Sequence, residues 1–178
     1  PLRRQDVCTR MLSPRPQFLR LILGLLAICP LVRADVTLAP LFCDHAILQR
    51  DQPLPIWGQA EPGEPVTVSF RGQHVGATTG GDGHWIVYLE PVSAAIEPAE
   101  LTVTGKTTVV VHDILVGEVW LASGQSNMFW QIRSLPDAAE VTAKIRNPFV
   151  RQIAITLTTA AEPADTVPTP GWQPAGPE

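Results

Sequence analysis

Between residues 36 and 112, short apolar or β-branched runs alternate with turn residues. The runs fall at 36–42, 46–49, 55–59, 66–70, 84–89, 101–104 and 107–112. Between them stand Asp51-Gln-Pro53, Glu61-Pro-Gly-Glu-Pro65, Gly80-Gly-Asp-Gly83 and Gly105-Lys106, all residue types that favour turns. Alternation with period two is clear in Val66-Thr-Val-Ser-Phe70 and Trp85-Ile-Val-Tyr-Leu89, so each of these strands is expected to bury one face. The spacing predicts a small antiparallel β-sandwich over residues 35–113.

The texture changes at Ile114. Residues 114–122 read as a mostly apolar strand, Ser123-Gly-Gln-Ser-Asn127 as a tight polar turn, and 128–134 as the start of a helix. A second helix fits 136–144, a further strand fits 149–156, and the proline-rich stretch 166–178 reads as an irregular surface segment. Strand, turn, helix, strand is the opening of an α/β domain. Residues 114–178 are fewer than the roughly 100–150 that such a domain uses, so the sequence reads as its truncated start.

Charge adds an N-terminal segment to this picture. Six of the 13 basic residues (Arg3, Arg4, Arg10, Arg15, Arg20, Arg33) but only Asp6 of the 17 acidic ones precede Asp35. Met11 opens a stretch with Arg15 and Arg20, followed by the apolar run 21–32 and then Val32-Arg-Ala34, with a small residue where a signal peptidase cuts. Residues 11–34 therefore read as a signal peptide cleaved near Ala34, and 1–10 as an upstream extension. The expected destination is the periplasm or the exterior. The apolar run falls short of the ~20 residues of a membrane span, so no stable membrane anchor is expected. The remainder is acidic, which disfavours nucleic acid and anionic membrane surfaces as partners. Cys8 and Cys29 lie before the cut, which leaves Cys43 alone among Leu41, Phe42 and Ala46, read as a small buried apolar residue.

Chemistry concentrates in Gly124-Gln-Ser-Asn-Met128. A serine on a sharp turn after a strand has its hydroxyl raised above the sheet edge, and a helix N-terminus behind it offers amides to a developing oxyanion. Gly124 permits the tight turn, and Asn127 stands where it can orient neighbouring loops or substrate. As a local pattern alone, the same serine fits a helix N-cap equally well.

The wider match distinguishes these readings. Val116-Gly-Glu-Val-Trp-Leu-Ala-Ser-Gly-Gln-Ser-Asn-Met-Phe-Trp130 closely resembles the first catalytic block of the sialate O-acetylesterase family, a branch of the SGNH hydrolases with a flavodoxin-like α/β domain. Leu48-Gln-Arg-Asp-Gln-Pro-Leu-Pro-Ile-Trp-Gly-Gln-Ala60 and Pro62-Gly-Glu-Pro-Val-Thr-Val68 resemble that family's N-terminal β-domain. Asn147-Pro-Phe-Val-Arg-Gln-Ile153, with Trp172 and Pro177-Glu178, resembles the segment after its first helix. The resemblance covers the chain from Asp35 onward.

It implies that Ser126 is the nucleophile toward an acetyl ester and that its own N–H is one oxyanion donor. Gly124, Gln125, Asn127 and Trp130 are the implied substrate-binding or supporting residues. Trp130 either lines the acyl or sugar pocket or packs in the core. The remaining donors and the catalytic histidine are expected beyond Glu178, so the chain by itself is expected to be nearly inactive. His45, His74, His84 and His112 read as solvated or structural.

No metal or cofactor is implied. The expected partner is an acetylated sugar or glycan, either sialic acid or another acetylated saccharide; the sequence does not specify an oligomeric state. A generic lipase or thioesterase is the rival within enzymes. Outside them, the rival is a non-catalytic carbohydrate-binding or structural β-domain.

Overall fold

The computed structural model describes residues 35–145, 147–162, 164 and 166–175. The extension expected over 1–10 and the leader expected over 11–34 lie outside them. β-Strands dominate: β1 (Thr37–Leu38), β2 (Ile47–Gln49), β3 (Leu54–Gln59), β4 (Pro65–Phe70), β5 (Gln73–Thr78), β6 (His84–Leu89), β7 (Ala95–Thr104) and β8 (Thr108–Gly117). A short helix α1 (Ala138–Lys144) comes next, then β9 (Asn147–Ile153) and β10 (Trp172–Ala175).

The alternation seen in the sequence sorts side chains as expected. Val66, Val68 and Phe70 of β4, and Trp85, Val87 and Leu89 of β6, are buried, while Ile86 and Tyr88 point outward. A three-stranded sheet runs β1-β3-β6 and a five-stranded sheet runs β2-β8-β7-β4-β5. Every pairing in them is antiparallel except β2 with β8. Apolar residues from both sheets, among them Ile56, Phe70, Leu89, Leu101 and Ile114, form one core cluster. Each such fully buried side chain contributes about 1.5–3 kcal/mol by leaving water.

β5 is a strand that the apolar pattern does not announce, because Gln73, His74, Gly76 and Thr78 are polar or small. Its presence results from the turn before it. Arg71 and Gly72 both have positive φ, 46° and 81°, and Phe70 pairs with Gln73 across them. Two consecutive left-handed residues make the hairpin turn whose twist matches that of paired strands.

Three expectations for the second half of the sequence need correction. Residues 114–117 belong to the end of β8 rather than to a separate strand over 114–122, and 118–125 have no regular structure. Trp120 and Leu121 are 86% and 91% exposed. An apolar run of this kind becomes a strand by pairing, and among the described residues none pairs with it. The stretch 166–178 is also not wholly irregular. Trp172–Ala175 pairs antiparallel with β9, and Trp172 is anchored through Nε1 to the Leu41 carbonyl oxygen at 2.9 Å. The proline in β10 is tolerated because β10 is an edge strand. The helix expected over 128–134 is two 3₁₀ turns, Ser126–Phe129 and Ile132–Ser134.

β8 is irregular near its C-terminal end. Leu101 pairs with Val111 but Ala99 pairs with Ile114, so β8 carries one extra residue between these pairs. Asp113 lies in this bulge with φ 57°. Asp tolerates the left-handed region better than most residues, and a bulge re-aims the side chain it carries.

Candidate active site

The segment with Ser126 leaves the five-stranded sheet at Gly117 and ends at Asn147, where β9 begins and pairs with β10 in a sheet of its own. Its exit is bracketed by β2 and the residue after it. The Arg50 amide donates to the Gly117 carbonyl at 2.9 Å. Gln49 accepts from the Val119 amide at 2.9 Å through Oε1 and donates from Nε2 to the Glu118 carboxylate at 3.3 Å. Arg50 Nε lies 3.8 Å from the other Glu118 oxygen.

Beyond this bracket the backbone is irregular up to Gln125, which is itself extended, and Ser126 opens a 3₁₀ turn. The Met128 amide donates to the Gln125 carbonyl at 2.9 Å and the Trp130 amide to the Asn127 carbonyl at 3.2 Å. The first amides of such a turn have no carbonyl within it to bond, so they can serve an external oxygen. Gly124 packs under the turn. A Cβ there would come within 2.8 Å of Met128 Cγ. Gly124, Gln125, Ser126 and Asn127 are all exposed, and Trp130 is 78% exposed, which is far from a core position.

The structure gathers these five residues on one exposed turn but, among the described residues, brings no base to it. Among the described residues no side chain hydrogen bonds to Ser126 Oγ. His45 pairs with Asp113, His74 with Ser69, and His112 with Glu100. The His84 amide donates to Asp82 Oδ1. Among the described residues no group of three or more His, Cys, Asp or Glu side chains could hold a metal ion.

The far end is held by a cluster that the sequence pattern did not single out. Arg151 of β9 is only 5% exposed. Its Nη2 donates to Asp113 Oδ1 at 2.9 Å and its Nη1 to the Asp113 carbonyl oxygen. The second Asp113 oxygen lies 2.5 Å from His45 Nδ1. The hydrogen bond from His45 is the largest influence on the Asp113 carboxyl; partial burial opposes it and Arg151 reinforces it. The net effect holds that carboxyl below the usual carboxylate range.

Two of the clefts formed by the described residues lie near the sheets. One, of about 350 Å³, is lined by Asp35, Thr37, Gln59 and Asp82. The other, of about 480 Å³, lies among Ile47, Ile96, Val116, Glu118 and Phe149. Ser126 lines neither of them.

No protein-family model matches the chain. The sialate O-acetylesterase of Rattus norvegicus is 30% identical over 164 residues, covering 85% of this chain and 30% of the rat protein. That of Mus musculus is 28% identical over 167 residues, covering 87% and 31%. The crystal structure of a carbohydrate acetylesterase from Xanthomonas citri superposes with a TM-score of 0.77 at 35% identity, over 80% of this chain and 33% of that one.

This chain is homologous to the sialate O-acetylesterases. It spans 30–31% of the length of these two curated sialate O-acetylesterases. Within this chain the Gly124–Trp130 turn is legible from adjacent residues, because a turn is encoded locally. Gln49, Asp113 and Arg151 are not. Each meets a partner 38 to 70 positions away, and their signal in the sequence is weak: a lone Asp in an apolar strand and a lone Arg in Phe149-Val-Arg-Gln-Ile153.

Proposed function

We propose that this chain supplies the nucleophile of a serine-type carbohydrate O-acetylesterase that acts on sialic acid or another acetylated glycan. The observation that carries this reading is Ser126 at the head of an exposed 3₁₀ turn, in a chain akin to proteins named as acetylesterases. A base takes the hydroxyl proton of Ser126 as its Oγ attacks the acetyl carbonyl carbon, and the resulting oxyanion accepts hydrogen bonds from the turn amides. Collapse expels the sugar oxygen, which takes a proton from the base. Water then releases acetate from acetyl-Ser126 and restores the hydroxyl. Trp130, open to solvent beside the turn, offers an aromatic face to a pyranose ring. In this reading the base and the other oxyanion donors come from outside these 178 residues.

The accompanying architecture is a β-sandwich over 35–113 joined to the start of an SGNH-type α/β domain over 114–178. The protein is exported after cleavage near Ala34. Hydrolysis of p-nitrophenyl acetate by this chain, and by a longer parent that includes it, tests the proposal. Activity in the parent that falls by about three or more orders of magnitude on Ser126→Ala supports it. Activity indifferent to Ser126→Ala moves the function to a non-catalytic sugar-binding or structural β-domain, and N-terminal sequencing that begins near Met11 removes the export step.

A further inference from the structure

The segment that carries Ser126 is an excursion whose ends are brought together by side chains. Asp113 stands before its exit and Arg151 after its far end, 38 positions apart. The contact between them is selective. Two guanidinium nitrogens of Arg151 use both the carboxylate and the backbone carbonyl of a single residue, while its Nε reaches the Pro148 carbonyl oxygen at 3.4 Å. A planar fork of five donors can make this set of contacts, and an ammonium cannot. The acceptor is equally committed, since its remaining oxygen is taken by His45. His45 itself has φ 69°, and its amide donates to the His112 carbonyl at 3.1 Å, next to the bulge. Two separate stretches of chain, those of His45 and Arg151, thus converge on the Asp113 carboxylate. It is directed there by a bulge that a regular β8 would lack.

We infer that Asp113 and Arg151, with His45 behind them, are positioning residues that seat the nucleophile-bearing segment on the five-stranded sheet. The inference rests on the esterase function proposed for Ser126 and gives the β-strand unit a part in the reaction. With the far end fixed here and the exit fixed by Gln49, Ser126 keeps a defined place relative to the sheet, although its own turn is open to solvent. Displacement of such a group by about 1 Å can cost on the order of a hundredfold in rate. Neither Asp113 nor Arg151 touches substrate.

The test uses the longer parent enzyme with Asp113→Asn and Arg151→Lys, singly and together. Asn tolerates the left-handed backbone while removing the charge, and Lys keeps the charge while losing the fork. The control, His74→Ala, removes a hydrogen bond of similar length, 2.8 Å to Ser69, from the β4–β5 hairpin. The readouts are kcat and KM for p-nitrophenyl acetate and hydrogen exchange of the amides over 118–134.

Each single variant is expected to lower kcat about tenfold with KM changed less than about twofold, and the double variant to be no worse than the poorer single. Amides over 118–134 should exchange faster while those of β4 and β6 do not, and His74→Ala should match the wild type. Variants that melt earlier yet keep kcat and the exchange of 118–134 overturn the inference, leaving the cluster a stabilising contact only. Should the wild-type parent show no Ser126-dependent hydrolysis, the esterase reading fails by itself. Hydrogen exchange then decides whether the clasp holds the segment.

Discussion

Glu64 is a carboxylate with 3% of its surface exposed, placed so that each oxygen meets a backbone amide. One accepts from Lys106 at 2.5 Å and the other from Glu61 at 3.2 Å. Gly105 allows the approach, since a Cβ there would fall 2.3 Å from Glu64 Oε1. Glu64→Ala strands the Lys106 amide and is expected to lower unfolding free energy by about 1–3 kcal/mol in urea titrations. Asp113 has a different dependence. Its folded-state carboxyl binds a proton less readily than in the unfolded chain, so its stabilising effect is fully present above the ordinary Asp value of about 3.9. That effect is lost as pH falls through the lower, folded-state value. Melting temperatures measured from pH 6 to pH 3 should therefore drop less for Asp113→Asn than for the wild type, with Arg151 and His45 being the charged or titratable groups facing the site. Residue-level structure was legible where it was local. The Gly124-Gln-Ser-Asn127 turn shows within four positions, whereas Asp113 acquires its partners through a bulge that apolar periodicity does not encode and through Arg151 on β9, a strand expected at 149–156 and found at Asn147–Ile153.

Among the elements, β4 and β6 were readable because a buried face leaves period-two alternation in the sequence. β5 and β10 were not, since an edge strand gains its place from a turn or a neighbour rather than from its own apolar residues. The apolar stretch 118–122 misled in the opposite direction: its composition suits a buried strand, but no described strand pairs with it. Gly58 shows how closely two elements approach. A Cβ there would meet the Thr37 carbonyl oxygen at 1.9 Å and Trp85 Cζ2 at 2.8 Å. Gly58→Ala is expected to push β1 off β3 and to cost roughly 1–3 kcal/mol, the range for overpacking. Calorimetry with an unchanged melting temperature would contradict that account of the β1–β3 contact.

On the scale of the whole molecule, large apolar side chains remain in water along the excursion and after it: Trp120, Leu121, Trp130 and Leu157 are each at least 78% exposed. Surface of this kind promotes association. Residues 35–178 alone are expected to elute from gel filtration ahead of a monomer, and serine at these four positions to restore monomeric elution. The parallel pairing of β2 with β8 has a different consequence, one of timing. Ile47 finds its partner in Leu115, 68 positions later, so on a translating ribosome the first strand of the five-stranded sheet stays unmatched until nearly all of the β-strand unit has been made. Ser126 comes only a few residues after that match becomes available. Synthesis from the N-terminus therefore makes the last partner of the five-stranded sheet available only shortly before the segment with Ser126 follows it out.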